Sequence, residues 1–281
     1  MITLLSPYPA ALIKTRKMRI MVVADLHIGW EMALSHEGIH VPTQTPKLMK
    51  RLLDLVLAYK PEKLLIMGDV KHTVATAETM EWRDVPEFFA GLEKHISDVS
   101  VIRGNHDGNL EPLLPNNVEI LPASGIVMGN IGFFHGHKWP SLDLLSCRTL
   151  VMGHVHPMVA FRDPSGFRVI RQVWVKANFN RNLLAKVLLQ RNKRKLSKNL
   201  QQTSDPLHGA KTERSQLFIM PSFNDFLGGR PLNEKRPLGN IKAKMVAGPV
   251  LRSEAVDMKN AEAYLLDGTF LGTLEQLRTL S

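Results

Sequence analysis

"VSVIRGNHDGNL", Val99 to Leu110, joins a short apolar run to a polar knot of Asn105, His106 and Asp107. Three hydrogen-bonding side chains in succession behind a glycine do not belong in a core, where each would need a partner to offset lost hydration. The same arrangement recurs along the first half of the chain. "MRIMVVADLH" covers 18–27, "KLLIMGD" 63–69, "IGFFHGH" 131–137 and "TLVMGHVH" 149–156. Each run is short and rich in Val, Ile, Leu or Met, which reads as a buried strand ending in a polar loop.

Between the first two runs, "TPKLMKRLLDLVLAYK" offers Thr45 as N-cap and Pro46 at the first helical position. Leu48, Leu52, Leu55, Val56 and Tyr59 follow at helical spacing. Before the third run, "DVPEFFAGLEKHI" predicts a helix opened by an Asp84/Glu87 capping box. Strands alternating with helices argue an α/β fold whose polar loops converge at one sheet edge, where such folds place ligands. From 117 onward short turns replace the helices, predicting a second, more antiparallel sheet. "EAYLLDGTFLGTL" near the end reads as a hairpin about Asp267-Gly268. The expected organisation is a single domain over 1–281.

The 281 residues carry a net charge of +10, and residues 181–200 hold seven Lys or Arg with no acid. A basic run this concentrated suggests an anionic partner such as nucleic acid, with a solvated helix face or linker as the plain alternative. We read 181–214 as a basic insertion within the domain. No leader peptide or run of apolar residues long enough to span a bilayer is visible, so a cytoplasmic protein without membrane contact is expected. The single Cys147 excludes intrachain disulfides and cysteine-based zinc clusters.

Seven of the eleven histidines lie in the motifs at strand ends: His27, His72, His106, His135, His137, His154 and His156. "DLH" and "HVH" place ligand-type residues at i and i+2, which on an extended strand share a face. Asp, Asn and His without thiolate suit Mn, Fe, Zn or Ni. The donors outnumber the needs of one ion, so two metals sharing a carboxylate are expected. A hydroxide held by both would then attack a phosphate ester.

In this order "DLH", "GD", "GNHD", "HGH" and "GHVH" resemble the five signature motifs of the calcineurin-like metallophosphoesterase superfamily. "GDVKH", with His72 three residues after Asp69, is similar to the branch related to the DNA-repair nuclease SbcD, and "LFIMPSFNDFLGG" resembles a late segment of small members of that branch. The resemblance implies an αββα sandwich of two mixed sheets flanked by helices. It implies one metal on Asp25, His27, Asp69 and His156, and a second on Asp69, Asn105, His135 and His154, with Mn²⁺ the favoured ion. His106 would be the general acid, its ring oriented by Asp107 or Asp25, and His72 would contact the scissile phosphate. His137, Arg103, Arg191, Lys193, Arg194 and Lys195 are further candidates for binding substrate. There is no long capping region like that of full-length SbcD nucleases, and no identifiable segment for docking an ATPase.

Three readings follow. The first is a dimetal phosphodiesterase acting on nucleic acid. The second keeps the enzyme but makes it a phosphodiesterase or phosphomonoesterase of a small nucleotide substrate, and the third is a non-catalytic nucleic-acid-binding module. No protein partner is indicated.

Overall fold

The computed structural model describes residues 1–16, 18–163, 165–195, 215–234 and 247–279, with the side chains of 192–195 outside the described part. The apolar runs form strands. β1 (Ile2–Leu4), β2 (Ala11–Lys14), β3 (Arg19–Val23), β4 (Lys63–Ile66), β5 (Val99–Ile102) and β6 (Glu119–Leu121) make one sheet in sequence order. Its first three strands are antiparallel and β3 to β6 run parallel.

The second sheet comprises β7 (Ile126–Met128), β8 (Ile131–Phe134), β9 (Thr149–Met152), β10 (Met158–Arg162), β11 (Arg168–Phe179), β12 (Ser215–Ile219), β13 (Glu262–Leu265) and β14 (Phe270–Thr273). Its order is β14-β13-β11-β12-β9-β8-β7, with β10 paired to β11. A parallel centre, β8-β9-β12, sits between antiparallel flanks, including the expected β13–β14 hairpin.

Side-chain alternation decides the layering. Ile20 and Val22 of β3, Leu65 of β4 and Ile102 of β5 face Ile131, Phe133, Val151 and Trp174 of the second sheet, forming the core between sheets. Their neighbours Met21, Val23, Leu64, Ile66, Val99 and Val101 point outward, under helices α2 (Thr45–Tyr59) and α3 (Thr79–Glu93). On the far face of the second sheet, Leu150, Met152, Val175 and Leu217 pack with Leu184, Ala185 and Leu188 of α4 (Arg181–Lys195). A short helix α1 (Glu31–His36) precedes α2, and α5 (Gly248–Leu251) and α6 (Leu274–Leu277) complete the second layer. Each fully buried Leu, Ile or Phe contributes roughly 1.5–3 kcal/mol relative to exposure. The result is the expected sandwich of two mixed sheets between helical layers.

Two helix starts differ from expectation. Thr45 is already inside α2, whose N-cap is Gln44. The hydroxyls of Thr43 and Thr45 donate instead to Asp84 Oδ2, at 2.7 and 3.0 Å. Helix α3 begins at Thr79, with Glu78 and Glu81 as its capping box and Pro86 in its interior. Asp84 imitates a helix start in sequence because it is polar and precedes a proline. Its buried carboxylate is retained for contacts with the start of α2, a tertiary reason that no local pattern carries.

Candidate active site

The polar motifs leave the C-terminal ends of five strands in the two parallel segments. Asp25 and His27 follow β3, Asp69 and His72 follow β4, and Asn105 to Asp107 follow β5. His135 and His137 follow β8, and His154 and His156 follow β9. The "DLH" and "GHVH" residues are not extended. Asp25, His27, Asp69, His154 and His156 all have positive φ, between 45° and 71°. Such left-handed backbone is uncommon for residues with a Cβ and persists where surrounding contacts impose it.

Asp25 and His27 fall in one group, as their i, i+2 spacing suggests, but the turns separate the i, i+2 pair of "HVH". His156 joins Asp25 and His27, whereas His154 joins Asp69 and His135. Within each group the donor atoms lie within 4.8 Å of one another. Asp69 links the groups: its Oδ2 is 3.5 Å from His27 Nε2 and 3.3 Å from His135 Nε2. Asn105 Oδ1 stands 3.2 Å from His135 Nε2. Asp25 Oδ1 stands 3.5 Å from His156 Nε2, and the Asp25 carboxylate also accepts the His154 backbone N–H. A third group, His27, His72 and His106, meets the same spacing but has no carboxylate to balance a cation's charge.

His135 is fully buried and its Nδ1 lies 2.7 Å from the Met67 carbonyl, so Nδ1 donates and Nε2 faces the Asp69 carboxylate. Burial opposes its charged form, but Asp69, Asp25 and the Met67 carbonyl outweigh burial and push its pKa up to about 10. Burial likewise opposes ionisation of Asp69, yet His135 and His27 hold its carboxyl well below the usual range. Burial, reinforced by the charge of His135, lowers His154 to about 4 and His137 to about 3. His27 is held well below its ordinary value, chiefly by burial.

The donor set fits divalent cations. His27 Nε2 and His156 Nε2 are buried without a hydrogen-bond partner, although each faces a carboxylate oxygen at 3.5 Å. His27 and His154, kept neutral chiefly by burial beside carboxylates, are already in the form a metal requires. At Gly104 an added Cβ would fall 2.1 Å from Asp69 Oδ1, so the turn leaves no room beyond that carboxylate.

Around these groups the remaining expectations divide. The His106 ring lies 4.7 Å from the His27 ring, and its Nδ1 is hydrogen-bonded to the His72 carbonyl. His72 Nδ1 is 3.3 Å from His27 Nδ1. The expected orientation of His106 by Asp107 or Asp25 is replaced by this carbonyl. Asp107 accepts the backbone N–H groups of Asp69, Val70 and Gly104 at 2.7–2.9 Å, so it ties the β4 and β5 turns together. Arg103 is also engaged in the turn it precedes, donating to the Asp107 carbonyl and the Glu111 carboxylate. His137 sits 5.2 Å, ring to ring, from His135, and lines a cleft that Arg191 also borders. The side chains of Lys193, Arg194 and Lys195 lie outside the described residues.

Sequence reasoning missed Glu81, Lys71 and Ser222. Glu81 is buried and accepts the N–H groups of His72 and Thr73 at 2.8 and 2.7 Å, fixing the loop after β4. Lys71 is fully buried and donates to the Thr73 carbonyl. Ser222 Oγ donates to the Asp25 carbonyl and Asn224 Nδ2 to the Leu26 carbonyl, at 2.9 Å each. The "PSFND" segment therefore supports the first turn from behind. Only the Glu78/Glu81 capping-box spacing offered a local signal for any of these.

Strand-end carboxylates and imidazoles gathered into two linked groups define a metal-dependent phosphoester hydrolase site on a two-sheet α/β sandwich. The family description "calcineurin-like phosphoesterase" matches residues 18–191, and the chain belongs to that family. Among solved structures, it is similar to the nuclease MPE of Pseudomonas putida. The identity is 19%, covering 92% of this chain and 97% of that one, with a TM-score of 0.48. It is also similar to Yfce, a phosphoesterase from E. coli, at 21% identity over 51% of this chain and 73% of that one, with a TM-score of 0.32. No curated protein matches the chain. No helix among the described residues is long and apolar enough to cross a membrane.

Proposed function

We propose that this chain hydrolyses phosphodiester bonds of nucleic acid with two divalent cations, Mn²⁺ foremost. Asp25, His27, Asp69 and His156 would hold one, and Asp69, Asn105, His135 and His154 the other. The observation that carries this reading is the single oxygen, Asp69 Oδ2, near both His27 Nε2 and His135 Nε2. When bound, such cations supply the Lewis acidity that makes water a nucleophile at neutral pH and offsets charge on phosphate oxygens.

The chain's own residues do the rest. His106 is anchored through its backbone N–H to Asp69 Oδ1 at 2.8 Å, and its Nδ1 donates to the His72 carbonyl. That leaves Nε2 to deliver a proton to the leaving oxygen as the P–O bond breaks. His72, held through its N–H by Glu81, contacts a non-bridging oxygen and keeps the phosphate in line. The basic stretch from Arg181 to Lys195 favours a polymer over a free nucleotide. The His72 spacing supports membership of the SbcD-related branch and, through it, a role in DNA repair; we read the chain as one cytoplasmic domain.

The test is a metal-supplemented assay on end-labelled single- and double-stranded DNA and RNA, beside a small chromogenic diester. Mn²⁺-dependent scission of a labelled polynucleotide is expected. Turnover of the small diester alone would shift the substrate to small phosphate esters. Metal-loaded protein that cleaves nothing but retains DNA would leave only the binding module.

A further inference from the structure

Beside the metal-ligand groups lies a cleft of about 520 Å³ bordered by Ser124, His137, Lys138, Trp139, Arg191 and Arg252. Three of these residues are cations, and none is ion-paired to a carboxylate among the described residues. The Arg191 guanidinium lies 5.6 Å from the centre of the Trp139 ring, so an aromatic face, and no acid, holds it at the cleft. Arg252 closes the opposite end of a short helix whose first residue, Gly248, abuts the site: an added Cβ there would lie 2.3 Å from the Gly136 carbonyl and 3.6 Å from His154 Cδ2. His137 lines the cleft, with its Nδ1 buried and without a partner, and its ring is 6.1 Å from that of His154. Uncompensated cations around one concavity attract an anion, and guanidinium groups suit phosphate oxygens in particular.

We propose that this cleft binds a second phosphate, the one next to the scissile phosphate along a nucleotide chain, with Lys138, Arg191 and Arg252 as its cations. This rests on the phosphodiesterase reading above and narrows its substrate to chains with at least two successive phosphates. A lone diester would fill the metal site and leave these three charges unmatched. A flanking phosphate would be bound by them, and its binding energy would improve placement of the reacting bond.

The proposal is tested with two dinucleotides in Mn²⁺, following scission of the internal bond by chromatography. TpT carries one phosphate, and pTpTp carries an additional phosphate on each side. Wild-type protein should favour pTpTp in kcat/KM by at least about tenfold, the worth of one charge-assisted contact. In a Lys138→Gln/Arg252→Gln variant the ratio of the two kcat/KM values should fall toward one. A wild-type ratio near one, or a variant that keeps the wild-type ratio, overturns the subsite. If neither dinucleotide is cleaved, the catalytic reading fails, and calorimetric binding of pTpTp decides the subsite separately. Affinity weakened at least about tenfold by the double substitution supports it, and equal affinity rejects it.

Discussion

Asp69 accepts the backbone N–H of His106 on Oδ1 at 2.8 Å while its Oδ2 faces two imidazoles. The carboxylate proposed to be shared by two cations is thus tied to the backbone of the proposed general acid. Removing the Asp69 side chain should therefore disturb both residues, whereas trimming the His106 side chain leaves its N–H and the tie in place.

Asp69→Ala should be the most damaging ligand change, because it removes the carboxylate oxygen that faces ring Nε2 atoms of both groups. Metal analysis of purified variant should show loss of more than one equivalent, with activity down by more than the ~10–100-fold typical of a supporting residue. Retention of both ions with normal turnover would remove Asp69 from the bridging position.

His106→Ala should keep its metal yet lose roughly 10²–10⁴-fold in cleavage of a poor leaving group such as a nucleotide alkoxide. A p-nitrophenyl ester needs little protonation and should lose less. Equal losses on the two substrates would assign His106 to phosphate positioning.

Metal uptake should strengthen with pH. The Asp69, His135 and His154 group needs a neutral His135, whose pKa stands at about 10 in the metal-free protein. Below that value the neutral fraction rises about tenfold per pH unit, so apparent affinity should rise by up to about tenfold per unit, roughly 300-fold between pH 6 and 8.5. His154, lowered to about 4, is already neutral there and adds no slope. Calorimetry in buffers of different ionisation enthalpy should detect about one proton released at this group. An affinity independent of pH would show that His135 is neutral before metal arrives.

Gly104→Ala should damage the site through packing alone. Its Cβ would lie 2.1 Å from Asp69 Oδ1 and 2.3 Å from Asp69 N, so the β4 and β5 turns must separate. A loss of roughly 1–3 kcal/mol in stability is expected. Chemical denaturation of the metal-free variant measures it, and a wild-type midpoint would contradict the crowding.

Replacing Arg191, Lys193, Arg194 and Lys195 with Gln should weaken single-stranded DNA binding and flatten its salt dependence. The log–log slope should fall by about 0.7 for each phosphate that is no longer neutralised. Fluorescence anisotropy across a salt series is the measurement. A wild-type affinity and slope would assign this stretch to solvation.

The strands and the residues carried at their ends were legible because both are local. An apolar run of four or five residues buried on two faces has a composition that needs no tertiary partner to recognise, and the polar residues behind it stand out by contrast. Helix beginnings were less legible. The Asp84-Val85-Pro86-Glu87 pattern resembles a capped start, yet α3 starts earlier at Thr79, where Glu78 and Glu81 form its capping box, and Asp84 instead accepts from Thr43 and Thr45 at the start of α2.

By itself, the sequence determined which residue types stand at each strand end, and therefore the oxygen and nitrogen chemistry of the site. Only the tertiary structure decided how they are shared out. His154 and His156 are two residues apart, but positive φ at both sends them to different groups, and the packing of two sheets determines which carboxylate each meets. The same packing directs Asp107 to three amides and leaves His106 to the His72 carbonyl. It also brings Trp139, Arg191 and Arg252, more than fifty residues apart at each step, around one cleft. Alternation along a strand is a property of the local backbone, whereas these partnerships depend on contacts between segments distant in sequence, which periodicity does not encode.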